Sequence, residues 1–375
     1  MGTRSGGDES GGTRRMISAG RPNDRRWPPV KAPGKLILAG EYGVLIGGSA
    51  LVMAVDRHLY LQAEGTAACP ADPLVNALLE QAEAITGTPL PAPHLDDSCF
   101  RTSEGLKLGL GSSAAKAAAM IGAAHVLAGD DLEAAEVREI VLQEAVAAHR
   151  RAGGGSGADV AASVLGGVVH YRLQPGAPER LLMPGDEPLA LEARRVSLPK
   201  ERLPVVLHGR RPLSTRDALG RLRSALAERR GPTMQLLRTV SETGSALSGA
   251  LAEDGSSERE IQSAVVQSRQ ALEALCDYLG LAEAGGGGVL QAADEAARLF
   301  GGAAKPSGAG GGDIVLVFLP EGDLKARLAL ASRLDRASID VLHVGLDDQG
   351  TTVSGPWAQN RGSCRCPAKP SRKQR

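Results

Sequence analysis

Residues 107–115, Lys-Leu-Gly-Leu-Gly-Ser-Ser-Ala-Ala, combine glycine, hydroxyl and cationic side chains directly before a predicted helix over residues 114–127. Glycines let the backbone approach an anion closely, and the free N–H groups and positive dipole end of a helix face that anion. Ser112 and Ser113 add hydroxyls that could bind phosphate or Mg²⁺. A glycine turn capped by serine explains the segment equally well. A phosphate-binding loop and a simple turn therefore both stay open at this point.

The same segment fits the pattern G-x-G-x-x-A of a dinucleotide-binding turn, with Asp130 and Asp131 further along the chain. That fingerprint requires an acidic residue at the end of a second strand, whereas these two aspartates lie between two helical patterns and resemble helix caps. The sequence also lacks a Walker A motif and the His-Arg-Asp and Asp-Phe-Gly signatures of protein kinases. The dinucleotide interpretation is therefore disfavoured.

Two further segments concentrate glycine beside polar side chains. Residues 153–159 end on Asp159, which suits a metal or phosphate site, although Asp159 taken alone is better explained as the cap of a helix starting at Val160. Residues 305–313, Lys-Pro-Ser-Gly-Ala-Gly-Gly-Gly-Asp, precede an apolar strand and could form only a hairpin-like loop. Each of the three glycine segments contains a hydroxyl group, and two contain an acid. This repetition favours a shared binding function over three unrelated turns.

The elements that must position these loops alternate between strand and helix patterns, which is typical of an α+β protein. Strands are predicted at residues 35–39, 51–55, 168–171, 204–207, 314–319 and 340–344, and helices at 114–127, 132–150, 217–227, 264–272 and 324–334. The length of 375 residues favours two domains. We predict a disordered leader at 1–29, domains at 30–200 and 201–354, and a basic disordered tail at 355–375.

The bulk composition excludes several classes of partner. Lys and Arg number 43 and Asp and Glu also number 43, so no net field attracts nucleic acid or an anionic membrane. Aromatic residues make up only 2%, too few for base-stacking platforms. No run approaches the roughly 18 apolar residues of a membrane span. The five scattered cysteines, without an export signal, predict reduced thiols. We therefore predict a soluble cytoplasmic protein with neither nucleic acid nor a membrane as a partner, and its oligomeric state stays open.

Residues 31–42, 109–115 and 305–313 occur in the order and at the spacing that resemble the three motifs of the GHMP kinase superfamily. The resemblance extends over nearly all of residues 31–350. Within the superfamily, residues 39–42, 156–163, 214–216 and 305–313 are most similar to phosphomevalonate kinases. The resemblance implies a two-domain α+β GHMP kinase fold. Its N-terminal domain would be like domain 2 of ribosomal protein S5, its C-terminal domain would be ferredoxin-like, and the active site would lie between them.

The resemblance also implies phosphoryl transfer from ATP, with Mg²⁺, to 5-phosphomevalonate, giving 5-diphosphomevalonate in the mevalonate pathway of isoprenoid synthesis. The implied catalytic residues are Lys35 and Asp159. The implied ATP-binding residues are Lys107, Gly109, Leu110, Gly111, Ser112, Ser113 and Ala114, and Ser112 is also the implied metal ligand. The implied substrate-binding residues are Ser156, Gly157, Ser214, Thr215, Arg216, Ser307, Gly308, Ala309 and Gly310, with Arg210 and Arg211 as further cationic candidates.

One departure from the superfamily pattern affects the metal site. Mevalonate kinases have a Mg²⁺-binding glutamate about ten residues before the aspartate that matches Asp159, whereas this chain has Ala148 and His149 there, with Glu144 a further turn back. The departure weakens the mevalonate kinase interpretation. Mevalonate kinase, diphosphomevalonate decarboxylase and a non-catalytic ligand-sensing protein remain the alternatives.

Overall fold

The computed structural model describes most of the chain between residues 26 and 354. The described residues are 26–62, 72–153, 155–174, 182, 189–209, 215–253, 255–281, 287–310, 314–320, 324–337 and 339–354. Six strands form the first sheet, and all of their pairings are antiparallel. They are β1 (Val30–Ala39), β2 (Ser49–Gln62), β3 (His94–Asp96), β4 (Val168–Leu173), β5 (Leu191–Val196) and β10 (Thr352–Val353). The order is β10-β1-β2-β4-β5, and β3 pairs with the far end of β2.

Four helices cover the first sheet: α1 (Pro73–Thr86), α2 (Ser112–Ala128), α3 (Ala135–Gly153) and α4 (Ala158–Leu165). Helices α2 and α4 contact β1 and β2, while α1 and α3 pack against α2. Helix α2 is buried almost all round because its run of alanines and Gly122 leaves room for neighbours on every side. This burial places α2, and therefore the glycine loop before it, beside β1.

The second sheet has four antiparallel strands in the order β7-β8-β6-β9. They are β6 (Val205–His208), β7 (Ala303–Ser307), β8 (Ile314–Phe318) and β9 (Asp340–Leu342). Both faces of β8 are covered, since Ile314 and Leu316 belong to the core shared with the first sheet, whereas Val315 and Val317 face a second apolar cluster. This two-sided burial explains why β8 is a continuous apolar run.

Five helices complete the described structure: α5 (Thr215–Glu228), α6 (Arg230–Ala252), α7 (Glu258–Tyr278), α8 (Gly287–Arg298) and α9 (Leu324–Arg336). Helix α6 connects the two halves, because it packs on α7 and also on β1, β2 and the turn between them. A Cβ atom at Gly244 of α6 would lie 2.9 Å from the Cα atom of Gly40. The backbones of α6 and the β1–β2 connection therefore touch at this glycine pair.

The α+β fold class is confirmed, but several elements of the structure were not predicted, among them α1, α8, β5 and β7. Strand β10 pairs with β1 in the first sheet, although the sequence assigned residues 201–354 to the second domain. Helix α6 was not predicted, because Thr, Ser and Gly interrupt its apolar positions and are poor helix formers. The division of the chain near residue 200 stays a prediction.

The described cysteines differ in state. Cys276 is a buried free thiol, whereas Cys99 is disulfide-bonded. The predicted reduced state therefore holds for Cys276 and is wrong for Cys99. Within the described part of the chain, no helix combines the length and apolarity needed to cross a lipid bilayer.

Candidate active site

Lys35 passes directly beneath the glycine loop that precedes α2. Its backbone N–H donates to the carbonyl of Leu110 at 2.8 Å, which fixes the loop to β1. Gly111 has a φ of 81°, and a Cβ atom added there would lie 2.7 Å from Cε of Lys35. Glycine is therefore required at this position twice, for its backbone conformation and for the path of the lysine side chain. The structure brings together the predicted catalytic lysine and the predicted phosphate loop.

The predicted ATP-binding residues differ in what they expose. Leu110 and Ala114 are buried, so they can offer a ligand only backbone groups, whereas Ser112 is half-buried and Ser113 is exposed. Helix α2 begins at Ser112, and the first N–H groups of a helix have no acceptor within it. Lys107 is exposed and pairs through its backbone with Arg101. The loop can therefore offer an anion backbone donors, two hydroxyls and an exposed ammonium group.

A pocket beside Lys35 collects seven of the predicted catalytic and substrate-binding residues. These are Lys35, Ser156, Gly157, Asp159, Thr215, Gly308 and Ala309. Its walls come from β1, from the loops before α4 and after β7, and from the start of α5. Glu41, Tyr42 and His149 also line it, and the sequence analysis assigned none of them to the site. Glu41 and Tyr42 were within the first motif, but their types alone did not indicate a role.

Asp159 lies in the first turn of α4. The helix begins at Ala158, with Gly157 as its N-cap at a φ of 84°, so Asp159 does not cap a helix starting at Val160. Its Oδ1 accepts a hydrogen bond from the N–H of Val160 at 3.0 Å. A carboxylate in a first turn is favoured by the helix dipole, and here it also faces the pocket that contains Lys35.

The third glycine segment is joined to the first motif by a buried ion pair. Nζ of Lys305 lies 2.5 Å from Oε1 of Glu41 and donates to the carbonyl of Pro306 at 2.7 Å. The side chains are 0% and 3% exposed. Lys305 therefore joins β7 of the second sheet to the end of β1 in the first sheet, and its ammonium group does not reach an external ligand.

Three predicted substrate-binding residues lie outside the pocket lining. The Ser307 hydroxyl accepts from the N–H of Ile37 at 3.0 Å and donates to its carbonyl at 2.9 Å, so it joins β7 to β1. Gly310 packs against Cys276, whose pKa burial raises to about 12. Arg216 is exposed on α5 and lines a separate surface groove. The predicted Ser214, Arg210 and Arg211 lie outside the described residues.

The carboxylate nearest in sequence to the missing glutamate position is already engaged. Oε2 of Glu144 lies 3.2 Å from Nε2 of His125, and Asp130 contacts the other ring nitrogen at 2.8 Å. The hydrogen bond to Glu144, followed by that to Asp130, raises the pKa of His125 above its ordinary value, against the opposing effect of burial. Ala148 is buried and His149 lines the pocket. Glu144 is therefore held by His125 and does not replace the missing ligand.

The donor set of the described residues fits a nucleotide-bound Mg²⁺ ion. Mg²⁺ is commonly held by one or two carboxylates together with substrate phosphates and water, and it needs no complete protein cage. Asp159 is a carboxylate of the pocket and Ser112 is a hydroxyl at the start of α2. The described part of the chain contains no group of three or more His, Cys, Asp or Glu side chains suited to a metal ion. A metal at this site would thus depend on the nucleotide for most of its ligands.

The chain is similar in sequence to known kinases. Residues 98–167 match the family model for the GHMP kinases N terminal domain. The chain is 28% identical to phosphomevalonate kinase of Streptomyces sp. (strain CL190), over 77% of this chain and 88% of that protein. It is 27% identical to mevalonate kinase of Aeropyrum pernix, over 66% of this chain and 83% of that protein.

The fold matches that of a solved phosphomevalonate kinase. The structure of Streptococcus pneumoniae phosphomevalonate kinase in complex with phosphomevalonate and AMPPNP superposes with a TM-score of 0.67 at 20% identity, covering 85% of this chain and 99% of that chain. Residues 98–167 therefore match the N-terminal domain of the GHMP kinases, and the chain has the overall fold of these proteins.

Proposed function

We propose that this chain transfers the γ-phosphoryl group of ATP to 5-phosphomevalonate, giving 5-diphosphomevalonate in the mevalonate pathway. The observation that carries the proposal is the single pocket lined by Lys35, Asp159 and the loops predicted to hold the acceptor. Lys35 joins this pocket to the glycine loop before α2. The curated relative with 28% identity is a phosphomevalonate kinase, which supports the choice of acceptor.

The glycine loop supplies the nucleotide end of the proposed site. The first N–H groups of α2, at Ser112 and Ser113, would donate to phosphate oxygens of ATP. Lys35 lies between this loop and the pocket, where its ammonium group would offset the charge that develops on the transferring phosphoryl group. Phosphoryl transfer is catalysed mainly by such positioning and charge stabilisation.

The chemistry of the acceptor decides the role of Asp159. A phosphomonoester has a second pKa of about 6, so 5-phosphomevalonate is already mostly ionised at neutral pH and hardly needs a general base. Asp159 would then act through Lys35 and through the placement of water or metal. Bound Mg²⁺ would offset charge on the phosphates, with Ser112 and Asp159 as its candidate protein ligands. An alcohol acceptor such as mevalonate would instead use Asp159 as a proton acceptor.

A coupled assay of ADP release by the purified chain separates the candidates. ATP and MgCl₂ would be supplied with mevalonate, 5-phosphomevalonate, 5-diphosphomevalonate or galactose in turn. We expect turnover with 5-phosphomevalonate, abolished by the Lys35→Ala substitution. Turnover with mevalonate alone, or with 5-diphosphomevalonate and release of CO₂, would replace the proposal by one of the other two enzymes. Nucleotide binding without turnover of any acceptor would support a ligand-sensing protein.

A further inference from the structure

Two buried tyrosine hydroxyls hold the glycine loops that line the candidate pocket. The Tyr42 hydroxyl donates to the carbonyl of Ala309 at 2.8 Å, and the Tyr171 hydroxyl donates to the carbonyl of Ser156 at 2.5 Å. Ala309 and Ser156 both line the pocket. Tyrosine is scarce in this chain, with 4 residues in 375, and two of them make this same contact to the backbone of a glycine loop.

Tyr42 combines this contact with a strained backbone conformation. Its φ of 47° is the one positive value at a non-glycine residue within the described ranges. Such a conformation persists only where the surrounding structure determines it strongly. Here the adjacent Glu41 is locked to Lys305, and the Tyr42 ring, 7% exposed, extends from the end of β1 to the loop after β7. The first motif thus holds the third glycine segment at two points.

Tyr171 contacts the loop that precedes α4. It lies on β4 with 0% exposure, and its hydroxyl meets the loop of residues 155–157, where Gly155 and Gly157 have φ values of 109° and 84°. A Cβ atom at Gly157 would lie 2.6 Å from Cγ1 of Val146 and 3.3 Å from the Tyr171 hydroxyl. The loop is therefore packed directly on the tyrosine, and it continues into the first turn of α4.

We propose that Tyr42 and Tyr171 are positioning residues whose hydroxyls hold the loops at Ala309 and Ser156 in the geometry that phosphoryl transfer requires. The proposal rests on the proposed function. Glycine-rich segments have unusually many accessible conformations. A fixed hydrogen bond to the loop carbonyl restricts these conformations and so keeps the acceptor site in one geometry. Burial raises the pKa of both hydroxyls above the ordinary value. They therefore stay protonated donors and do not exchange protons with substrates near neutral pH.

Hydrogen–deuterium exchange of the full chain tests the contacts without requiring any activity. The variants are Tyr42→Phe and Tyr171→Phe, and the matched control is Tyr278→Phe, whose hydroxyl lies 3.5 Å from Oγ1 of Thr233. Loss of one hydrogen bond should raise local exchange by about tenfold. We expect this rise at residues 308–310 only in Tyr42→Phe and at residues 156–158 only in Tyr171→Phe. Unchanged exchange in both loops, or an equal rise throughout the chain, would overturn the proposal.

Steady-state kinetics of the same variants tests the consequence for catalysis. A displacement of reacting groups by about 1 Å can cost about 10²-fold in rate, so we expect kcat/KM for the acceptor to fall by at least about tenfold in both variants, with the KM for ATP within about twofold of the wild-type value. The pH profile of kcat should keep its wild-type shape. Loosened loops with unchanged kcat/KM would refute a positioning role, and a lost limb of the profile would indicate proton transfer instead. If the wild-type chain did not turn over 5-phosphomevalonate, the proposed function would fail while the exchange result would stand.

Discussion

Replacing Lys305 by methionine should destabilise the protein far more than a surface charge change does. The substitution keeps an unbranched side chain of similar length in a site that is 0% exposed, so little cavity is created. It removes the cation that lies 2.5 Å from Oε1 of Glu41 and the donor to the carbonyl of Pro306 at 2.7 Å. The Glu41 carboxylate, only 3% exposed, is then left buried without a counter-charge.

The size of the loss follows from this burial. Removing one partner of a buried ion pair costs about 3–5 kcal/mol, because the remaining charge is neither solvated nor paired. We take about 4 kcal/mol for Lys305→Met. Each kcal/mol of lost stability lowers the Tm of a chain of 150–250 residues by about 2–4 °C, and the effect is smaller for larger chains. At about 2 °C per kcal/mol, the loss of about 4 kcal/mol lowers the Tm by about 8 °C. Urea unfolding followed by circular dichroism measures the free energy, and calorimetry measures Tm.

A double variant distinguishes an unpaired charge from a general packing defect. Glu41→Gln combined with Lys305→Met removes both charges, so its loss should be smaller than the sum of the single losses by at least about 2 kcal/mol. The matched control is Glu133→Gln, which removes the negative charge from the Arg138–Glu133 pair at 3.0 Å where Glu133 is 68% exposed, and it should cost less than about 1 kcal/mol. Additive single losses, or a loss below about 1 kcal/mol for Lys305→Met, would refute the reasoning.

Three further predictions concern the loop, the catalytic pair and a buried histidine. Gly111→Ala and Gly129→Ala both place alanine at a positive φ. The new Cβ atom would lie 2.7 Å from Cε of Lys35 at position 111, whereas it would have no atom within 4 Å at position 129. Assays of ADP release should therefore show at least about a tenfold larger loss of kcat for Gly111→Ala, and equal losses would contradict the steric argument. Lys35→Ala should lose far more activity than Asp159→Asn in single-turnover assays, and equal, near-complete losses would contradict the division of roles. The pKa of His125 is raised, chiefly through its hydrogen bond to the Glu144 carboxylate on α3. The pairing therefore stabilises the fold fully below the ordinary pKa of about 6.5, and this stabilisation is lost as pH rises through the folded pKa. Urea unfolding should therefore show His125→Gln costing more at about pH 6 than at about pH 9, and a cost independent of pH would show that the pairing is not responsible.

Much of the secondary structure was predictable because its causes are local. The alanine run that forms α2 and the glycine loop before it are adjacent in sequence, and the structure begins the helix at Ser112, within two residues of the predicted start. Helix α6 escaped prediction because its stability comes from packing against α7 and the first sheet, including the contact of Gly244 with Gly40. Tertiary packing outweighs weak helix propensity there.

The sequence by itself determined which residue types were available for phosphate chemistry and in what order they occur, since motif order and glycine placement are properties of the chain. The tertiary structure decided which of them face the pocket. It placed Lys35 and Asp159 there. In contrast, Lys305 pairs with the carboxylate of Glu41, 264 positions away, and the Ser307 hydroxyl donates to the carbonyl of Ile37, 270 positions away. A buried side chain must pair its charge, or complete its hydrogen bonds, with the groups that lie beside it in the folded chain. When those groups are distant in sequence, a local sequence pattern does not identify them.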